Sequence, residues 1–118
     1  MVRFINCIRR RADITPTEFR RFWKDPKFDD LIQKTLETYK AVKSSKSLAL
    51  QIEASEKIQE ARQSALPYDG IIEYWWNSGA EIIDIFESPE AQALSEEMNV
   101  FQLQFVDFEG STLSFTEA

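Results

Sequence analysis

Short apolar runs, one of them with strict alternation of apolar and polar positions, predict four strands in this chain. They lie at 2–9, 41–53, 71–76 and 111–116. The first and third are rich in strand-favouring residues, and the period of two in the second is typical of a strand with one buried face. Within the second stretch, the polar run 44–47 is expected to be a loop or a frayed start of the strand. Residues 109–110 predict a turn before the last strand.

Apolar residues recur at helical spacing between these strands. They predict one long helix over Pro16–Tyr39, broken near Pro26 because the residue before a proline avoids helical angles. Residues 54–65 contain strong helix formers with a thin apolar stripe, which indicates a mostly solvated helix. Another helix is expected to begin at Ser88, and residues 101–105 alternate again.

Three segments typical of helix starts support these assignments. Thr15 is suited to the N-cap, Pro16 to the first helical position, and Glu18 completes a capping box. Residues 78–81 have the spacing of a second capping box. The segment 88–90 places serine before proline and glutamate, which again predicts a helix start.

The order of these elements, β–α–β–(α)–β–α–β, predicts the fold class. Two βαβ halves in a chain of 118 residues indicate an α+β, ferredoxin-like βαββαβ fold. Such a fold has a four-stranded antiparallel sheet with its long helices on one face. The length corresponds to one domain over residues 1–118.

The third strand carries large side chains on both of its faces. One face is formed by Ile71, Glu73 and Trp75, and the other by Ile72, Tyr74 and Trp76. Helices on one side leave the other sheet face uncovered, and a tryptophan-bearing face is a poor surface in water. We therefore expect a homodimer with two-fold symmetry, in which two sheets pack face to face.

Composition narrows the chemistry that is possible. The formal net charge of -6 argues against a nucleic-acid-binding surface, and no histidine is present, which excludes Ser–His and Cys–His catalysis. The single cysteine, Cys7, cannot form an intrachain disulfide, so the cytoplasm is the expected location. No apolar run is long enough to span a bilayer, and the N-terminus lacks the pattern of a signal peptide.

Three segments carry a resemblance to a known family. They are Ile14–Asp25, Tyr68–Trp75, and Glu87–Gln92 followed by Phe105–Asp107. The first has a capped helix with phenylalanine and then an aromatic–Trp pair, and the second has an Asp-Gly strand with an acidic residue. The third has a Ser-Pro-Glu helix start and a Phe-Val-Asp sequence near the last strand. Together they span most of the chain, which resembles the EthD family of the dimeric α+β barrel superfamily.

The resemblance implies two subunits whose sheets close into a dimeric α+β barrel around a cavity. It implies no metal and no organic cofactor. Relatives with this architecture include cofactor-independent monooxygenases, polyketide cyclases, dehydratases and members without known activity. The family commonly has a histidine shortly after the aromatic–Trp pair, whereas in this chain Lys27 falls near that position.

Glu73 is the candidate catalytic residue. It is an acidic residue between large apolar neighbours, and it matches the acidic residue of the family's Asp-Gly strand. A carboxylate inside the barrel cavity can act as a general acid or base. The alternative is a strand residue that is paired with a lysine or arginine, or that simply faces water.

The candidate ligand-binding residues are Asn6, Trp23, Lys27, Tyr39 and Trp75. The aromatic ones can line a pocket for a planar ligand, although most aromatic side chains belong to cores and interfaces. Lys27 can replace the family's histidine as a proton donor or an anion-binding charge, or is an exposed lysine at a helix break. Asn6 can hydrogen-bond a ligand.

Three hypotheses for the function remain open on the sequence. The first is a cofactor-independent oxygenase, cyclase or dehydratase acting on a small hydrophobic or aromatic compound. The second is a small-molecule-binding protein without turnover, and the third is a structural dimer whose barrel is filled by its own side chains. An open cavity favours the first two.

Overall fold

One antiparallel sheet of four strands organises the fold. The computed structural model describes residues 1–50, 53–80 and 82–117. In chain order the elements are β1 (Val2–Arg10), α1 (Pro16–Trp23), α2 (Pro26–Thr38), β2 (Lys43–Leu48), α3 (Glu53–Arg62), β3 (Gly70–Trp76), α4 (Ile82–Phe86), α5 (Pro89–Gln102) and β4 (Val106–Glu117). The strands lie in the order β2-β3-β1-β4, and each neighbouring pair is antiparallel.

The helices cover one face of this sheet. In β3, the side chains of Ile72, Tyr74 and Trp76 are buried in the core, while those of the alternate residues are only half-buried. Helices α2 and α5 pack against each other over the buried face. The ferredoxin-like α+β fold that the sequence predicts is therefore confirmed, with one face of the sheet free of helices.

Two of the three predicted helix starts form as the sequence predicts. The backbone N–H of Glu18 donates to Thr15 Oγ1 at 3.1 Å, and the Thr15 N–H donates to Glu18 Oε1 at 3.2 Å. At α5, the Ala91 N–H donates to the hydroxyl oxygen of Ser88 at 3.2 Å. Both caps satisfy N–H groups that the helix itself leaves unpaired, so these helix starts are determined locally.

Replacing Thr15 by alanine should lower the free energy of unfolding by about 1 kcal/mol, because the α1 cap loses its acceptor oxygen. The measurement is the urea midpoint of the two proteins. Thr17→Ala is the matched control, since Thr17 is exposed one position after Pro16 and makes no capping bond in the described residues. Equal midpoints for Thr15→Ala and the parent would contradict the cap's contribution.

The predicted long helix is confirmed together with its break. It consists of two helices, because α1 ends at Trp23 and α2 begins at Pro26. Asp25 caps the second helix, since its carboxylate accepts a hydrogen bond from the Lys27 N–H at 2.9 Å. Proline at the first helical position loses no intrahelical bond, so the break costs little.

The prediction for the second strand is wrong in its bounds. The run 44–47, expected to be a loop or a frayed start of the strand, lies inside β2, and the strand ends at Leu48. Pairing with β3 holds it, from Lys43 opposite Trp75 to Leu48 opposite Gly70. These backbone hydrogen bonds outweigh the low strand propensity of its serines and lysines.

Two other parts of the sequence-based assignment cannot be compared with the structure. Gln51 and Ile52, which end the predicted strand 41–53, lie outside the described residues, as does Glu81 of the second predicted capping box. Leu50, which the predicted strand includes, follows the end of β2 and is 70% exposed.

The alternation at 101–105 comes from a helix end and not from a strand. Helix α5 continues to Gln102, and β4 begins at Val106, so the last strand is longer than the predicted 111–116. Phe101 and Phe105 are both buried, with their ring centroids 5.5 Å apart. The predicted turn at 109–110 lies within β4, where the pairing with β1 changes register.

Gly70 lets α1 approach the sheet closely. A Cβ atom on Gly70 would lie 2.4 Å from Cη2 of Trp23, whose side chain is 2% exposed. A glycine is required because any other residue would collide with the buried indole. This contact fixes α1 at the edge of the helical layer, away from the cavity described next.

Candidate functional site

A cavity of about 230 Å³ lies between the sheet and the helices α2, α4 and α5. It is lined by Phe4, Asn6, Thr35, Tyr39, Ile72, Tyr74, Trp76, Phe86, Ser95, Met98, Asn99, Gln102 and Leu113. Leu113 and Phe86 are 65% and 39% exposed, so they mark its open side. The cavity is therefore a space within one subunit, on the helix-covered face of the sheet.

Aromatic side chains form much of the cavity wall. The ring centroid of Tyr74 lies 6.2 Å from that of Phe4 and 6.3 Å from that of Trp76. Trp76 is held in place because its Nε1–H donates to the backbone oxygen of Tyr39 at 2.8 Å. The Tyr39 hydroxyl in turn donates to the Ala91 oxygen at 3.2 Å. This wall presents rigid π surfaces whose polar atoms are largely satisfied.

The polar groups that the described residues bring to the cavity are uncharged. Hydroxyl and amide side chains supply them, and none of the described lining residues is acidic, basic or a cysteine. Burial raises the pKa of Tyr74 to about 12, an effect that the neighbouring Thr35 hydroxyl partly counters and Tyr39 reinforces. Burial also raises the pKa of Tyr39. Both phenols are therefore neutral at physiological pH, and the cavity can donate and accept hydrogen bonds without carrying charge.

A second cavity, of about 380 Å³, adjoins the first between α5 and β4. Asn6, Asn99, Gln102 and Leu113 border both cavities. The remaining lining residues of the second cavity are Leu103, Val106, Phe108 and Ser111. The two spaces form one elongated depression in which amide side chains lie at the junction.

Two of the five predicted ligand-binding residues line the first cavity. They are Asn6, on the helix-covered face of β1, and Tyr39, which follows α2. Trp23 is instead part of the core beside Gly70, and its backbone oxygen accepts a hydrogen bond from Lys46 Nζ at 2.6 Å. Lys27 is exposed in the first turn of α2. The structure therefore does not bring Trp23 or Lys27 to the cavity.

Glu73 and Trp75 lie on the other face of the sheet. Arg3 Nη1 is 3.4 Å from Glu73 Oε2, and both side chains are half-buried. Lys43 Nζ lies 4.7 Å from the centroid of the Trp75 ring. Because neighbouring strand residues point to opposite faces, Glu73 and Trp75 share the face that the helices leave uncovered. Neither residue contributes to the chemistry of the cavity in this subunit.

Sequence reasoning missed the polar residues of α5. Ser95, Asn99 and Gln102 follow one another at spacings of four and three, which places them on one side of the helix. This signal was present in the sequence beside the apolar stripe of the same helix. The three residues share one side of a helix only if α5 extends to Gln102. The alternation at 101–105 indicated a strand there, so the polar side of the helix was not recognised.

The described residues offer no metal site and no membrane helix. Within 1–50, 53–80 and 82–117, no three side chains of aspartate, glutamate, cysteine or histidine come together to hold an ion. In the same part of the chain, no helix has the length and apolar character needed to cross a membrane.

Comparison with known families gives a match over most of the fold. The model of the EthD domain matches residues 11–102, from the end of β1 through α5. This chain belongs to the EthD family. The matched region includes every helix that covers the sheet, and with them the α2, α4 and α5 walls of the cavity. A comparison of this EthD protein with curated proteins gives no match.

Solved structures of similar shape support the same architecture. A dimeric ferredoxin-like protein of unknown function from Bacteroides fragilis has a TM-score of 0.62 and 11% identity over 99% of this EthD chain and 95% of its own. A mutant of SnoaB, a cofactor-independent oxygenase from Streptomyces nogalater, has a TM-score of 0.58 and 10% identity, covering 99% and 91%. A putative antibiotic biosynthesis monooxygenase from Deinococcus radiodurans has a TM-score of 0.55 and 14% identity, covering 100% and 92%. At these identities the likeness concerns the fold.

Proposed function

We propose that this EthD-family protein binds a small, neutral, aromatic molecule in the cavity between its sheet and helices. The observation that carries the proposal is the cavity lining, in which aromatic walls surround hydroxyl and amide groups and, within the described part of the chain, no charged side chain. Ligand sites are typically apolar with a few placed polar groups, as this one is. A charged ligand would lose its hydration there without gaining a counter-charge.

The size of the cavity limits the ligand. An apolar cavity of about 150 Å³ accommodates one benzene molecule. The first cavity measures about 230 Å³, which suits one or two fused rings. Hydroxyl or carbonyl groups on such a ring system would find partners among the amides and hydroxyls of the lining.

Binding of 1-naphthol tests this proposal, with 1-naphthalenesulfonate as the charged probe of similar shape. We expect 1-naphthol to quench the tryptophan fluorescence and to bind at least about tenfold more tightly than the sulfonate, a difference of about 1.4 kcal/mol. The affinity should be constant between pH 6 and 8, because the raised pKa values of Tyr74 and Tyr39 keep both phenols protonated there and the naphthol is itself neutral. Equal affinity for the two probes would contradict a neutral site.

Binding without turnover is the function that the cavity supports best. General acid–base catalysis needs a group whose pKa lies near the working pH, and no lining residue among 1–50, 53–80 and 82–117 is a carboxylate, histidine or lysine. The second candidate is cofactor-independent oxygenation, cyclisation or dehydration, favoured by the shape shared with SnoaB, which is described as a cofactor-independent oxygenase. Incubating 1-naphthol with the protein in air and analysing the mixture by chromatography distinguishes binding from turnover. We expect unchanged naphthol. A hydroxylated or quinone product would favour oxygenation.

We also propose that the protein is a homodimer in which two uncovered sheet faces close into a dimeric α+β barrel. Trp75, Ile71 and Ile5 lie on that face, where the helices of the same subunit do not reach them. The Bacteroides fragilis protein of similar fold is described as dimeric. In this arrangement the Arg3–Glu73 pair belongs to the interface, and the catalytic role predicted for Glu73 is replaced by a structural one.

The cytoplasm remains the location that we propose, because Cys7 is a free thiol on the same sheet face and would be retained in a reducing compartment.

A further inference from the structure

Gln102 is a polar residue enclosed at the junction of the two cavities. It is only 4% exposed, and its side chain borders both spaces. Within the described residues its side-chain amide makes no hydrogen bond, whereas the amide of Gln104, two positions later, donates to the Phe101 oxygen at 3.1 Å. The end of α5 thus places an unpartnered amide against an open space.

This amide can pair with a ligand. Among the described residues only Arg10 Nε is both buried and unpaired, so the polar atoms of the Gln102 amide open onto the cavity space. The side-chain amide of glutamine offers two N–H donors and one acceptor oxygen, so it can pair with a carbonyl, a hydroxyl or an N–H group. A molecule in the cavity that carries these groups would supply the partners that the described residues do not.

Two further amides accompany Gln102. Asn99 lies one turn earlier on the same side of α5 and is exposed. Asn6 lies on the helix-covered face of β1 and borders the same two cavities. Neither side chain makes a hydrogen bond within residues 1–50, 53–80 and 82–117. Beyond these amides both spaces become apolar, towards Trp76 in the first cavity and Phe108 in the second.

We propose that Gln102, with Asn6 and Asn99, forms a specificity site for a neutral ligand that spans both cavities. Such a ligand carries a carbonyl and an N–H or hydroxyl group near its middle, and aromatic or apolar parts at both ends. The polar middle pairs with the amides, and the ends lie against Trp76 and Phe108. This inference rests on the proposed function and adds the position of the ligand's polar groups.

Acridone and biphenyl are the probes that test this site. Acridone carries one carbonyl and one N–H on the central of three fused rings, whereas biphenyl has two rings and no polar group. Gln102→Leu should weaken acridone binding about tenfold, the effect of losing one hydrogen bond, and should leave biphenyl binding within about twofold. Gln92→Leu is the matched control, because Gln92 is exposed on α5 and borders neither cavity.

A second variant protects the test against loss of folding. Asn99 is exposed, so Asn99→Ala keeps the helix, and we expect it to weaken acridone binding about threefold without affecting biphenyl. If both variants bind acridone as the parent does, or lose acridone and biphenyl equally, the specificity site is wrong while the proposed cavity function stands. If the parent binds none of 1-naphthol, biphenyl and acridone, both proposals fail.

Discussion

Replacing Ser95 with tryptophan should abolish the binding of 1-naphthol, lowering its affinity by about thirtyfold or more, or about 2 kcal/mol. Ser95 lines the first cavity from an exposed position on α5. An indole ring attached there is itself a two-ring aromatic group of the size proposed for the ligand, and it can enter the space between Trp76 and Phe86. The tryptophan side chain thus occupies the cavity volume that 1-naphthol would fill.

Glu96→Trp is the control for this experiment. Glu96 is the next residue of the same helix, is exposed and does not line either cavity. It adds the same indole to the protein surface, so it should change neither the affinity nor the unfolding midpoint. Calorimetry, which does not depend on the added fluorophore, gives the comparison. Unchanged 1-naphthol binding in Ser95→Trp would show that the probe binds elsewhere.

Trp75→Asp should convert the proposed homodimer into a monomer. The side chain lies on the uncovered sheet face, so the aspartate would place two carboxylates near each other in a two-fold interface that the tryptophans otherwise fill. Removing a large aromatic contact and burying an unpaired charge each cost several kcal/mol at an interface. Light scattering after size-exclusion chromatography measures the change in mass.

The matched control for the dimer is Val100→Asp. Val100 is 67% exposed on α5, on the opposite side of the molecule from the uncovered sheet face, so this aspartate should leave the mass unchanged. A parent protein that is monomeric at micromolar concentration would contradict the dimer. Glu73→Gln in the same experiment tests the Arg3 pair, and we expect a weaker dimer with unaltered 1-naphthol binding.

The candidate site was less predictable than the fold. Asn6 and Tyr39 were identified from the sequence and line the cavity, but Trp23 and Lys27 do not. Trp23 shows why: an aromatic residue on an amphipathic helix can serve the core or a ligand pocket, and the contacts of Trp23 with Gly70, Phe19 and Phe28 assign it to the core. Whether an aromatic side chain serves the core or a pocket therefore depends on its tertiary contacts.

Local signals in the sequence determined the helix starts and the alternation of the strands. Thr15 and Ser88 cap their helices through hydrogen bonds to residues three positions away, and β3 alternates because successive strand residues point to opposite faces. These features depend on neighbours within a few positions, which the sequence contains. The element order followed from them, and with it the ferredoxin-like fold.

The tertiary structure alone decided what depends on distant residues. β2 forms from a polar segment because β3 supplies its hydrogen-bond partners, and α5 extends to Gln102 although the local alternation indicates a strand. The cavity is the gap that α2, α4 and α5 leave over the sheet, and it brings together residues from six elements. Packing between elements distant in sequence sets that gap, and no local pattern records it.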